Sequence, residues 1–299
     1  MKGLVLASGG SESLGRHLAE ALGLPLGAVE SRHFPDGETY LRLDTDCRGR
    51  HVLIAGTLDR PDPKLLPLVF LAEAARADGA ARVGLVAPYL AYMRQDQQFR
   101  PGEAVTSHMF AALLSRHVDW LVTVDPHLHR VHALDEIYTV PTRVVAAAPA
   151  LAAWIATHVS RPLVVGPDEE SAQWVRDVAT RAGAPFVVMR KVRRGDRTVE
   201  ITAPDVSAWR GHTPVVVDDV VSSGQTMIAT VRRLVEAGLA SPVCLAVHAL
   251  FARDTDEALR AAGAGDIVTT NTINHPAGTI DIVPLLVPAI ADLAGALTP

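Results

Sequence analysis

The chain has 299 residues, 48% of them apolar and 20% charged, with a formal net charge of −5, as expected of a globular protein built from about two domains of roughly 150 residues each. An acidic balance with no lysine- or arginine-rich tail argues against nucleic acid as a partner. Ser11, Glu12, Arg16, His17 and Glu20 break the apolar runs of the first residues, which argues against a signal peptide or membrane helix and for a cytoplasmic location.

Short apolar runs alternate with longer amphipathic segments, the pattern of βα units building a mostly parallel sheet, so the fold class is α/β. In the first half, strands are predicted at Gly3 to Ala7, His51 to Gly56, Val83 to Ala87 and Leu121 to Val124, with helices over Ser11 to Leu22, Leu65 to Ala77 and Thr106 to Arg116. An Ala/Val-rich stretch near Val140 to Ala150 leads into a second half, and the boundary is set near Pro141, giving domains 1–141 and 142–299. There, strands are predicted at Leu163 to Val165, Phe186 to Met189, Val215 to Val217, Cys244 to Ala249 and Ile267 to Thr269, with helices over Glu170 to Arg181, Thr226 to Ala237 and Thr255 to Ala261. The closing stretch, Val283 to Leu297, reads as a helix or a strand plus helix and can pack on either half. Cys47 and Cys244 are isolated, without a CxxC pair or framework spacing, so buried reduced thiols are expected rather than a disulfide scaffold or a zinc site.

The strongest local signal is Val215-Val216-Val217-Asp218-Asp219-Val220-Val221-Ser222-Ser223-Gly224-Gln225-Thr226 ahead of a helical segment. Two carboxylates stand at the carboxyl end of a strand, and a small-residue turn opens the next helix. Ligands of open α/β sheets bind in that crevice, and free N–H groups at a helix N-terminus accept phosphate. Ser222, Ser223 and Thr226 add hydroxyl donors, Gly224 permits close backbone approach, and Asp218 and Asp219 suit a vicinal diol such as ribose hydroxyls. Phosphate plus diol describes a sugar phosphate.

This segment, including Gln225, resembles the phosphoribosyl-pyrophosphate motif shared by type I phosphoribosyltransferases and ribose-phosphate pyrophosphokinases. Four further segments lie in the order of the second family: Phe34-Pro35-Asp36-Gly37-Glu38 resembles its F-x-D-G-E loop, Pro88 to Asp96 its P-Y-x-x-Y-x-R-Q-D segment, Asp125-Pro126-His127 its D-x-H metal segment, and Gly166 to Ser171 its pyrophosphate loop. The basic run Met189 to Arg197 is similar to its flexible catalytic loop, whose Lys-x-Arg pair falls on Lys191 and Arg193. In an acidic chain the alternative for that run is a solvated charged face.

The resemblance implies two tandem type I phosphoribosyltransferase-like domains, ATP and ribose 5-phosphate as substrates, and Mg²⁺ as cofactor. It also implies a homo-oligomer in which the F-x-D-G-E loop of one subunit helps hold the adenine of its neighbour. On that reading Phe34 and Arg94 sandwich the purine while Asp36, Glu38 and Gln95 hydrogen-bond its edge. Asp218, Asp219 and Ser222 to Thr226 hold ribose 5-phosphate. Lys191 and Arg193 meet the charge built up in pyrophosphoryl transfer, and His127 and Asp168 serve the metal, a sparse ligand set that Mg²⁺ tolerates. His129 and His132 stand near enough to compete with His127, although the three match no zinc spacing. Ser222 stands where common bacterial members often carry Asp, so the chain resembles the archaeal and plant-type branches more closely. Two alternatives remain at this point: a phosphoribosyltransferase, which would lack the nucleotide segments, and a regulatory homologue, which would have lost the metal or loop residues.

Overall fold

The computed structural model describes every residue except Phe99, His129, Glu170, residues 195–197, Ala203 and Pro204, and for residues 191–194 and 198–202 it describes the backbone alone. The chain divides into two compact units, Met1–Ala146 with Val283–Pro299, and Ala147–Ile282.

The first unit runs β1 (Gly3–Ala7), α1 (Glu12–Leu22), β2 (Val29–His33), β3 (Thr39–Leu43), β4 (His51–Ala55), α2 (Asp62–Ala77), β5 (Arg82–Val86), α3 (Thr106–Leu114), β6 (Trp120–Val124) and β7 (Thr142–Val145). Five strands form a parallel sheet in the order β1-β4-β5-β6-β7. β4 and β6 are buried at every position, which is why they read as continuous apolar runs rather than alternating ones. Gly84 of β5 lies opposite Trp120, and a Cβ there would stand 2.0 Å from the indole, so the glycine makes room for the largest side chain of this core. β2 and β3 form a separate antiparallel ribbon whose Val29, Leu41 and Leu43 pack on the core. The Pro35-Asp36-Gly37 turn between these two short runs is the hairpin signal in the sequence.

The second unit runs α4 (Ala148–His158), β8 (Pro162–Gly166), α5 (Ala172–Ala182), β9 (Phe186–Val188), β10 (Arg190–Arg194), β11 (Thr198–Thr202), β12 (Thr213–Val221), α6 (Gln225–Glu236), β13 (Val243–Ala249), α7 (Thr255–Ala261), β14 (Asp266–Thr270) and β15 (Gly278–Ile280). Its parallel sheet has the order β15-β14-β13-β12-β8-β9. A last helix, α8 (Val283–Ala294), belongs to the first unit.

The two sheets share one plan. In the second unit β8 sits between β12 and β9, and the β10–β11 ribbon is inserted after β9. In the first unit β1 sits between β4 and a single parallel bridge from Val5 to Leu26, and the β2–β3 ribbon follows that bridge. The hint of duplicated halves thus has a topological counterpart, with one strand of the first copy reduced to a bridge.

Four sequence expectations change. The division falls after Ala146 rather than near Pro141, because residues 142–145 form the edge strand β7 of the first sheet. The strand expected to stop at Val217 runs on to Val221, so Asp218 and Asp219 lie within it, with Asp218 in register with Ala246 of β13. The helix expected from Glu170 begins at Ala172, after Ser171. The basic run expected as a flexible loop supplies, over Arg190–Arg194, one strand of an antiparallel ribbon, Lys191 opposite Ile201 and Arg193 opposite Val199. Among the described residues no helix is long and apolar enough to cross a membrane.

Candidate active site

In the second unit the site is built where β12 passes into α6. Two further acidic groups act on Asp218 there. Burial, followed by the negative charges of Asp219 and Asp168, pushes the Asp218 carboxyl up to about 8. The Asp219 N–H donates to Asp218 Oδ1 at 3.1 Å, and the Val220 N–H donates to Asp219 Oδ1 at 2.7 Å, so local backbone donors orient both carboxylates.

Beyond Val221 the chain turns through half-buried Ser222 and exposed Ser223 to Gly224, whose φ of 68° is left-handed. A Cβ at Gly224 would meet Thr255 Cγ2 at 2.9 Å, so neither the backbone nor the space suits a larger residue. The turn is braced from α7, since the Thr255 hydroxyl and the Ala252 N–H donate to the Ser222 carbonyl at 2.9 and 3.2 Å. Gly224 is the N-cap of the 12-residue helix α6 and brings no side chain to its first-turn N–H groups, which leaves them, together with exposed Gln225 and half-buried Thr226, as donors for an anion.

Asp168 follows β8. Its Oδ1 accepts the Ser171 N–H at 3.2 Å, and its carbonyl accepts the Ser171 hydroxyl at 2.7 Å, which shapes the Gly166 to Ser171 turn ahead of α5. The side chains of Lys191 and Arg193 lie outside the described residues, as does His129.

In the first unit Phe34 stands at the tip of the β2–β3 ribbon, 41% exposed. The turn closes by the Phe34 N–H donating to the Glu38 carbonyl at 2.8 Å and the Gly37 N–H to the Phe34 carbonyl at 2.9 Å. Asp36 Oδ1 accepts the Glu38 N–H at 3.1 Å, so Asp36 also shapes the turn, while the Glu38 side chain is exposed. The cation found over the Phe34 ring is Arg32, 4.9 Å from its centroid, a residue outside the set proposed from sequence.

The Pro88 to Asp96 segment follows β5. Tyr92 has a φ of 62°, uncommon for a bulky residue; its hydroxyl bonds Asp62 and its ring lies 4.8 Å from that of Phe110. Arg94 is exposed. Gln95 is engaged by α3, its Oε1 accepting the Thr106 hydroxyl at 3.2 Å and its carbonyl the Ser107 N–H at 3.3 Å. Buried Asp96 accepts the Arg130 N–H at 3.1 Å and its guanidinium at 3.0 Å; burial opposes its charge, but these two bonds hold its carboxyl below the ordinary value. The Asp96 to Arg130 pair ties this segment to the chain that follows His127, a link that separation in sequence had hidden. His127 itself is half-buried after β6, beyond Asp125, whose N–H donates to the Val145 carbonyl at 3.0 Å.

Among the described residues no three His, Cys, Asp or Glu side chains converge as a metal-binding group. The charges of Asp219 and Asp168 raise the proton affinity of Asp218, and carboxylates are hard oxygen donors whose repulsion of Asp218 a divalent cation would relieve.

Comparison with known proteins agrees with this layout. A family model described as the N-terminal domain of ribose phosphate pyrophosphokinase matches residues 4–117, and one described as the phosphoribosyl transferase domain matches residues 134–279. The chain is 34% identical to a ribose-phosphate pyrophosphokinase of Methanopyrus kandleri, over 98% of this chain and 100% of the relative. It is 31% identical to a protein of the same name from Methanothermobacter thermautotrophicus, over 97% and 100%. The crystal structure of phosphoribosylpyrophosphate synthetase from Mycobacterium smegmatis has the same fold, with a TM-score of 0.85 at 24% identity, covering 99% of this chain and 100% of that one.

Proposed function

The chain belongs to the ribose-phosphate pyrophosphokinase family, and on that premise we propose that it transfers the β,γ-pyrophosphoryl group of ATP to the anomeric hydroxyl of ribose 5-phosphate, giving 5-phosphoribosyl 1-pyrophosphate and AMP. The observation that carries this reading is the acidic pair on β12 leading, through the Gly224 turn, to side-chain-free N–H groups at the start of α6. That arrangement suits a 5-phosphate at the helix terminus and ribose hydroxyls on Asp218 and Asp219. Ser222, Ser223, Gln225 and Thr226 complete the sugar-phosphate site.

The anomeric oxygen attacks the β-phosphorus, the bond from that phosphorus to the α–β bridging oxygen breaks, and AMP departs with the electron pair while the hydroxyl proton passes to solvent. Charge accumulates on the β-phosphoryl oxygens and on the leaving oxygen, and Lys191 and Arg193 are assigned to stabilise it. The adenine is assigned to Phe34 and Arg94, with Asp36, Glu38 and Gln95 at its edge. Mg²⁺, assigned to His127 and Asp168, supplies charge neutralisation of the polyphosphate. The exposure of Phe34 at a ribbon tip supports a homo-oligomer in which one copy lends this ring to the nucleotide of another. Cytoplasm is the compartment proposed, since the described cysteines, Cys47 and Cys244, are both free thiols.

The test is ³¹P NMR of the protein with Mg-ATP and ribose 5-phosphate. AMP and a pyrophosphate ester at ribose C1 are expected. ADP with ribose 1,5-bisphosphate would overturn the assignment, and nucleotide binding without turnover would point to a regulatory homologue.

A further inference from the structure

The outer face of the β2–β3 ribbon carries an unbroken chain of paired side chains. Arg42 Nε stands 2.9 Å from Asp44, and Arg42 Nη2 is 3.1 Å from Glu30, its partner across the strands. Glu30 is in turn 3.7 Å from Arg32. Arg32 ends the chain of charges on two rings, its guanidinium 4.2 Å from the centroid of Tyr40, directly opposite in register, and 4.9 Å from that of Phe34. The two rings meet edge to face at 6.1 Å and 87°. The other face of the ribbon is anchored by Val29, Leu41 and Leu43 on the core, so this ladder rests on a fixed base.

An exposed phenylalanine at a hairpin tip would ordinarily sample several rotamers, and a ligand stacking on it would have to order the ring at the expense of affinity. Here a cation on the ring and an aromatic edge beside it restrict that freedom before any ligand arrives. We propose that Arg32, seated over Tyr40 and Phe34 on the outer face of the ribbon, is a positioning residue of the nucleotide site that presets the Phe34 ring for the purine of ATP. The inference rests on the assignment of Phe34 to the purine. Arg32 is not a catalytic residue on this view, because it acts through Phe34 and not on the reacting phosphates.

The claim is read by steady-state kinetics at saturating ribose 5-phosphate for wild type, Arg32→Met, Arg32→Lys, Phe34→Ala and the Arg32→Met/Phe34→Ala double variant. Arg32→Met keeps the length of the side chain and removes its charge; loss of an exposed cation–π pair predicts a rise in the KM for ATP of about two- to five-fold. The kcat and the KM for ribose 5-phosphate should stay unchanged, Arg32→Lys should recover part of the loss, and the double variant should be no worse than Phe34→Ala. A KM for Arg32→Met equal to that of wild type, alongside a raised KM in Phe34→Ala, overturns the role of Arg32 and leaves the nucleotide assignment standing. Losses that add in the double variant overturn it too, since Arg32 would then act on ATP itself. A normal KM in Phe34→Ala removes the purine assignment and the inference with it.

Discussion

His51 should make the first unit acid-sensitive well above the range of its carboxylates. It begins β4 at 0% exposure, its Nε2 accepts the Trp120 indole N–H at 2.8 Å, and its buried Nδ1 has no hydrogen-bond partner among the described residues. Burial, aided by the positive charge of Arg82, lowers its pKa from the ordinary 6.5 to about 4. A histidine whose folded pKa is depressed binds more protons when unfolded, so stability is complete above pH 6.5, falls as the pH drops toward 4 and falls no further on this account below 4. At 1.36 kcal/mol per pKa unit the whole loss is about 3 kcal/mol, of which about 2 kcal/mol is reached by pH 5, a large share of the ~5–15 kcal/mol that holds a typical domain. Imidazolium formation would also remove the acceptor of the Trp120 N–H. The assay is urea unfolding between pH 7 and 5 for wild type and His51→Gln, whose amide oxygen can accept the indole hydrogen but does not titrate. The wild type should lose about 2 kcal/mol more than the variant over that interval. Equal pH slopes for the two proteins would refute the reasoning, because the other titrating groups are common to both.

Two further outcomes follow from the active-site geometry. Gly224→Ala forces an L side chain into a left-handed turn against Thr255 Cγ2 at 2.9 Å; it should cost about 1–2 kcal/mol, seen as a lower Tm, and raise the KM for ribose 5-phosphate more than that for ATP, whereas an unchanged Tm and KM would remove the turn from the site. Lys191→Ala should lower kcat by about 10²–10³ with ATP affinity retained, while Arg197→Ala stays near wild type; near-normal turnover in both Lys191→Ala and Arg193→Ala would end the catalytic assignment of that ribbon.

Most βα units were legible from the sequence because each inner strand is buried on both faces and each helix on one; α4 (Ala148–His158), which begins in the Ala/Val-rich stretch expected only as a connection, was not. Gly3–Ala7 and Thr255–Ala261 fall where the pattern puts them. The motif from Val215 to Thr226 was equally legible, since strand, carboxylates, glycine turn and helix are contiguous and their chemistry is local. What sequence reading missed depends on contacts between distant residues. Where β12 ends is decided by pairing with β13, which carries the strand past the acidic pair to Val221. The short edge strand β7 exists only because β6 offers a free edge to Thr142–Val145, and that pairing moves the boundary between the units. The β2–β3 ribbon brings Arg32 onto Tyr40 by cross-strand register, so the guanidinium beside Phe34 comes from its own ribbon. The raised proton affinity of Asp218, set first by burial and by Asp219, also draws on Asp168, fifty positions away in sequence and brought close by the pairing of β8 with β12. Local periodicity determines which segments become strands and helices; register and burial, which are properties of the assembled sheets, decide what those segments bring together.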